Sequence, residues 1–180
     1  MSEYSPPVAH RKLEMHLWWI TAILIGINVG LFVWQVMHGM DVTQPSTRDA
    51  ILWGADYAPL TYIAEPMRLF SSMFFHFGLI HLMLNMWALY IFGSVAEQLF
   101  GRLYFIGLYL CAGLMGSLLS GYINIQNSYS LIEGGVANPD LLPAVSAGAS
   151  GAVMGLGASL TVRALLPMLP QQRFILDKKT

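Results

Sequence analysis

Charged residues divide this sequence into four long uncharged runs, and that spacing constrains the fold more than any other feature. A helix needs about 20 consecutive, mostly apolar residues to cross the hydrocarbon core of a bilayer, and each run supplies them. The first lies between Glu14 and Asp41 and is most apolar from Leu17 to Met37. The second lies between Arg68 and Glu97, the third between Arg102 and Glu133, and the fourth runs from Leu141 to Val162, just before Arg163. The expected fold is an all-α polytopic membrane helix bundle, with spans at about 17–37, 74–96, 103–124 and 147–166. The composition agrees, since 56% hydrophobic and 11% charged residues do not suit a water-soluble domain of this length. Segment one is too long for a removable signal peptide and no small-residue cleavage site follows it, so it reads as a retained span.

Basic residues near span ends are retained in the cytoplasm. Arg11, Lys12, Arg102, Arg163, Arg173, Lys178 and Lys179 fall on one side of the expected topology, against Arg48 and Arg68 on the other. Both termini are therefore expected in the cytoplasm, with residues 1–16 as an N-terminal flank and 167–180 as a tail. A net charge of −1 with no basic cluster argues against nucleic acid as a partner. The first loop, about 41–73, mixes Trp53, Tyr57 and Tyr62 with Asp49, Asp56 and Glu65, and such a stretch is expected to rest at the headgroup level of the outer leaflet. Cys111 is a lone cysteine in an apolar segment and reads as a buried packing residue.

Polar side chains inside a bilayer are costly, which makes them functional candidates by default. The second run carries His76, His81 and Asn85, with His81 and Asn85 four apart on one helical face. The fourth carries Ser150 between Gly148 and Gly151, after Pro143 makes a continuous helix from Leu141 improbable. Both runs enter from the outer side, so Ser150, His81 and Asn85 are expected to converge on one outward-opening cavity, where an imidazole and an amide suit an oxyanion. A transmembrane serine on its own is more often a packing residue, and an isolated His or Asn more often bonds another helix. Asn28 reads that way and is given no role. Gly151, Gly155 and Ser159 form one small-residue face, and Gly113, Ser117 and Gly121 another, which predicts close packing of the third and fourth spans.

In this order the motifs resemble the rhomboid family of intramembrane serine proteases. His76, His81 and Asn85 match its spaced histidines followed by asparagine. Gly93, Glu97, Gly101, Phe105, Tyr109 and Gly113 match its Gly-Glu-Gly-aromatic spacing, and Ser150 falls in a Gly-x-Ser-Gly motif. The resemblance covers about Leu17 to Val162 and implies a bundle in which Ser150 is the nucleophile. It further implies that His81 and Asn85, with the backbone N–H of Ser150, stabilise the oxyanion, that His76 supports the site, and that Gly148 and Gly151 allow close approach of neighbouring backbone. Met67-Arg68 stands where the family commonly has Trp-Arg, leaving Arg68 as the first-loop anchor. The implied substrates are transmembrane proteins cut near the outer membrane face, with no cofactor and no metal; the sequence itself has no His-Glu-x-x-His pattern and no acidic cluster in its spans. Glu97, at a span end, reads as a cap or ion-pair partner. The expected location is the plasma membrane of a bacterium.

One part of that machinery is not found. A serine needs a base to take its proton, and the family's base is a histidine on a sixth span. Here His10, His16, His38, His76 and His81 all precede Ser150, and only ALLPMLPQQRFILDKKT follows Arg163, so four of six expected spans are present. Three explanations stay open: the chain is a piece of a longer protease, which is favoured because every motif is intact up to a charged stretch; the gene is truncated; or His81 serves as the base. The alternative function is a catalytically inactive member that binds transmembrane clients. A transporter or channel fragment is a third class, and the scarcity of charge within the spans weighs against it.

Overall fold

The computed structural model of the chain describes residues 18–134 and 144–165, and among these the regular elements are helical. The expected flank at 1–16, the tail at 167–180 and the Pro143 break lie outside the described residues. Helix α1 spans Trp19–Met37. The first loop folds into three short helices, α2 at Thr47–Leu52, α3 at Ala58–Ile63 and α4 at Arg68–Ser71, followed by a 3-10 turn at Ser72–Phe74. Its starts are written locally: Ser46 and Asp49 form a reciprocal capping box on α2, and Pro59 opens α3. Helix α5 runs Leu79–Ala88, passes through a π-helical turn at Leu89–Gly93, and continues as α6, Ser94–Phe100. Gly101, at φ +82°, turns the chain into α7, Arg102–Glu133. Helix α8 occupies Ser150–Leu165.

The second span starts later than 74. The 3-10 turn closes at Phe74, Phe75 is extended, the chain bends at Phe77 and Gly78, and the helix begins only after Gly78 at φ +87°. A methyl group on Gly78 would collide with the Thr43 carbonyl, so backbone contact with the first loop sets this boundary. His76 consequently sits in the lead-in to the helix and not on it. Three helices among the described residues, Trp19–Met37, Leu79–Phe100 and Arg102–Tyr129, are long and apolar enough to cross a membrane. Helix α8 is described over 16 residues, about 24 Å of rise, and reaches the last described residue, Leu165.

The bundle is packed as a membrane protein is. On α1 the buried positions are Thr21, Asn28, Phe32 and Gln35, whereas Ile23, Ile27, Val29, Val33 and Trp34 point outward. Such a polar-in, apolar-out helix suits lipid and not water. Asn28 donates to the Leu24 carbonyl of its own helix at 2.8 Å. Phe75, Leu89, Phe105, Tyr109 and Leu156 are fully buried at the centre.

Helices α7 and α8 meet closely, as expected, with Ala112 and Gly116 of α7 at the centre of the contact and Gly113 at its edge. Gly151 lies against Gly116, where an added Cβ would be 3.3 Å from the Gly116 Cα, and Gly155 lies against Ala112. Gly113 faces Met73, Ser117 bonds Ser72 at 3.2 Å, and Gly121 faces Tyr62 and Asp56. Helix α7 therefore carries two small-residue faces, one for α8 and one for the first loop. Cys111, expected to be buried, is exposed on α7, as an apolar side chain on a lipid-facing surface can be.

Glu97 is buried and caps a helix that is not its own. Its carboxylate accepts from the Ile20 N–H at 3.1 Å, the Thr21 N–H at 2.8 Å and the Thr21 hydroxyl at 2.8 Å, at the start of α1. Helix α1 has no cap from its own N-cap side chain, and negative charge is favourable there. Glu97→Ala should destabilise the bundle by about 1–3 kcal/mol, since it leaves buried donors unpaired. The check is the midpoint of thermal aggregation in detergent, which should drop for Glu97→Ala and less for Glu97→Gln.

Candidate functional site

The site gathers where the lead-in to α8 crosses the start of α5. Gly148 has φ +113°, a left-handed conformation that side chains rarely adopt, and donates its N–H to the Ser72 carbonyl at 2.8 Å. The positive φ turns the chain so that α8 begins at Ser150. The first N–H groups of a helix have no partner within it, so Ser150 stands beside backbone donors aimed at whatever lies ahead of α8. Its side chain is exposed and its hydroxyl has no hydrogen bond to a described residue.

His81 is half-buried on the first turn of α5 and faces Gly148. A Cβ on Gly148 would come within 2.7 Å of His81 Cε1 and 3.0 Å of Nε2, so only glycine lets the ring and the turn touch. The Phe77 N–H donates to His81 Nδ1 at 3.1 Å. With Nδ1 an acceptor, the neutral ring carries its proton on Nε2, the nitrogen nearer Gly148. Phe77 also stacks on the ring, with centroids 6.2 Å apart and planes 17° apart.

Asn85, one turn further along α5, is buried and donates to the His81 carbonyl at 2.9 Å. His76 is fully buried, its ring centroid 5.3 Å from that of His81, and neither of its ring nitrogens has a partner among the described residues. Arg68 lies away from this cluster. Its guanidinium pairs with Glu65 at 2.8 Å and donates to the carbonyls of Ile51 at 2.7 Å and Ala55 at 3.1 Å, tying three parts of the first loop together.

Ser150, Gly148 and Gly151 share a recess of about 100 Å³ with Gly116, Ser117, Ser120 and Ser146. His81 and Asn85 do not line it; His81 meets the same turn from the α5 side. The structure thus sets His76 beside His81, His81 against Gly148, and Gly148, Ser150 and Gly151 around one recess, with Asn85 one turn along α5 and Arg68 in the loop. Sequence reasoning missed Ser72 and Ser146. Ser72 reaches the Gly148 N–H through its backbone carbonyl, which leaves no side-chain signature.

A model of the rhomboid domain matches residues 64–176, well over half of the chain. Rhomboid protease AarA of Providencia stuartii is 25% identical over 149 residues, covering 79% of this chain and 50% of that protein. RHOMBOID-like protein 6, mitochondrial, of Arabidopsis thaliana is 34% identical over 132 residues, 72% of this chain and 38% of its own length. Rhomboid protease GluP of Bacillus subtilis is 30% identical over 143 residues, 79% of this chain and 24% of its own length. The chain thus spans half or less of the length of these relatives. No solved structure gives a significant match. The ordered motifs, the apolar helices and the matched domain together place this integral membrane protein in the rhomboid family.

Proposed function

We propose that the protein is an intramembrane serine endopeptidase that cuts transmembrane proteins near the outer membrane face. The observation that carries this reading is the contact of the His81 ring with Gly148, two residues ahead of an exposed serine at a helix start. Ser150 Oγ attacks the scissile carbonyl. The developing oxyanion is stabilised by the Ser150 N–H, by His81 Nε2–H and by Asn85, whose amide turns from the His81 carbonyl toward it. His76 supports the His81 ring from behind, Gly151 admits α8 against α7, and Arg68 anchors the first loop. The small recess beside Ser150, walled by glycine and serine, suits a small side chain next to the cut bond.

The base that takes the Ser150 proton is a histidine outside the described residues. His81 is poorly suited to be that base, because the Phe77 N–H occupies Nδ1, and Nε2 as a base would no longer be the donor to the oxyanion. The positive-residue asymmetry supports cytoplasmic termini, and the bacterial plasma membrane is the proposed location. A second reading, a non-catalytic surface for transmembrane clients, is favoured by the lack of any hydrogen-bonded partner for the Ser150 hydroxyl among the described residues.

A serine-directed fluorophosphonate, applied in membranes to the protein carrying this chain and located by mass spectrometry, separates the two. Label on Ser150 is the expected result. No label, with retained crosslinking to a transmembrane client, would sink the protease in favour of the client-binding surface.

A further inference from the structure

Proteolysis by Ser150 as proposed gives Asp56 no part, yet this carboxylate joins the first loop to the segment that leads into α8. Asp56 and Ser146 form an isolated antiparallel bridge, each N–H donating to the other's carbonyl at 2.9 Å. The Thr61 hydroxyl donates to Asp56 Oδ1 at 2.7 Å, and the Ser146 hydroxyl reaches Oδ2 at 3.4 Å. Asp56 is only 1% exposed. Helix α7 closes the locus from behind: a Cβ on Gly121 would stand 3.2 Å from Asp56 Oδ2, and Tyr62 Oη donates to the Leu118 carbonyl at 2.6 Å. Burial pushes the Asp56 carboxyl above the usual range, against the hydroxyls of Thr61 and Ser146 and the positive charge of Arg68.

The segment held in this way has little stiffness of its own. Ser146-Ala147-Gly148-Ala149-Ser150-Gly151 is built of small residues, so its course is set by external ties. Among the described residues those ties include Asn124 to the Ala144 carbonyl at 3.0 Å, the Asp56 bridge at Ser146, and the Gly148 N–H to the Ser72 carbonyl at 2.8 Å. The Asp56 tie joins backbone to backbone and adds a side-chain contact, and Ser146 lines the recess that contains Ser150.

We propose that Asp56 is a positioning residue for Ser150, holding the Ser146–Gly148 stretch in register from the first loop. This rests on the reading of Ser150 as nucleophile. A displacement of about 1 Å at a reacting atom costs on the order of 10²-fold in rate, so a tether four residues from the nucleophile is felt in kcat. It touches no substrate, so KM is spared.

The test is hydrogen exchange, read by mass spectrometry on the protein in detergent, for the wild type, Asp56→Ala and Asp56→Asn. In Asp56→Ala the Ser146 and Gly148 amides should exchange roughly tenfold faster, with α1 and α7 unchanged. Asp56→Asn keeps an oxygen for Thr61 and should stay near the wild type. In a cleavage assay Asp56→Ala should lower kcat about tenfold or more with KM held, and Asp56→Asn should restore most of it. Unchanged exchange at those two amides overturns the proposal, as does acceleration spread evenly over the bundle. If Asp56→Ala does not fold, Thr61→Val loosens the same carboxylate and should give a smaller, equally local acceleration; none overturns the proposal. Localised acceleration together with cleavage that survives Ser150→Ala assigns the failure to the nucleophile reading and not to the tether.

Discussion

Replacing Ser150 by alanine should reduce cleavage of a transmembrane reporter by on the order of 10⁴-fold or more, the scale on which loss of a serine nucleophile acts. The contrast with neighbouring serines makes this specific. Ser117, Ser120 and Ser146 line the same recess, but Ser150 alone among the four begins α8, where backbone N–H groups are free to meet an oxyanion. Alanine at 117 or 120 should therefore keep cleavage within about tenfold of the wild type, since each removes a polar wall and no reacting atom, and alanine at 146 should fall between these and Asp56→Ala, since it also removes the hydroxyl that reaches Asp56 Oδ2. Ser150 is exposed and its hydroxyl bonds no described residue, so Ser150→Ala should leave thermal stability within about 0.5 kcal/mol. Initial-rate measurements on the four variants check it, and persistent cleavage by Ser150→Ala would remove Ser150 from the chemistry.

Gly148→Val should be nearly as damaging, for two separate reasons. The backbone at φ +113° is strained for any residue with a Cβ, at a cost of about 1–3 kcal/mol. The added carbon would also stand 2.7 Å from His81 Cε1. The ring is hard to move, because the Phe77 N–H holds Nδ1 and the Phe77 ring stacks on it. Loss of His81 as a donor is expected to cost about 10²–10³-fold in kcat. Steady-state kinetics with thermal unfolding of Gly148→Val and Gly148→Val/His81→Ala separates the two causes. The double variant should recover part of the stability, because the collision is gone and the strain remains, and none of the activity. A Gly148→Val protein with wild-type kcat would show that the turn does not hold the ring in a working position.

The long helices were legible because charge spacing bounds them, and α1 and α7 begin within two residues of the runs that announced them. The late start of α5 was not legible, because Gly78 turns at positive φ directly against the Thr43 carbonyl, and a hydropathy pattern does not register a distant backbone. The small-residue faces show the same limit. Periodicity revealed that Gly113 and Gly121 lie on one side of α7, but that their Cα positions face Met73 and Tyr62 is a property of the first loop's fold. In the site, His81, Asn85 and Ser150 drew notice as polar groups within apolar runs, where their cost demands an explanation. Asp56 and Ser146 gave no such signal, since each is an ordinary loop residue until the chain brings them together across 90 positions.

The carboxylate of Glu97 sits 76 residues beyond the Thr21 amide that it accepts from. At about 5–20 residues per second, the ribosome reaches Glu97 roughly 4–15 s after it has completed the start of α1. Through that interval the first span has no carboxylate on its leading amides and water at the interface must serve. It acquires its anchor only when the α5–α6 hairpin arm has entered the bilayer. Helix α1 is thus anchored only after α5 and α6 have followed it, and its docking is paced by that later segment.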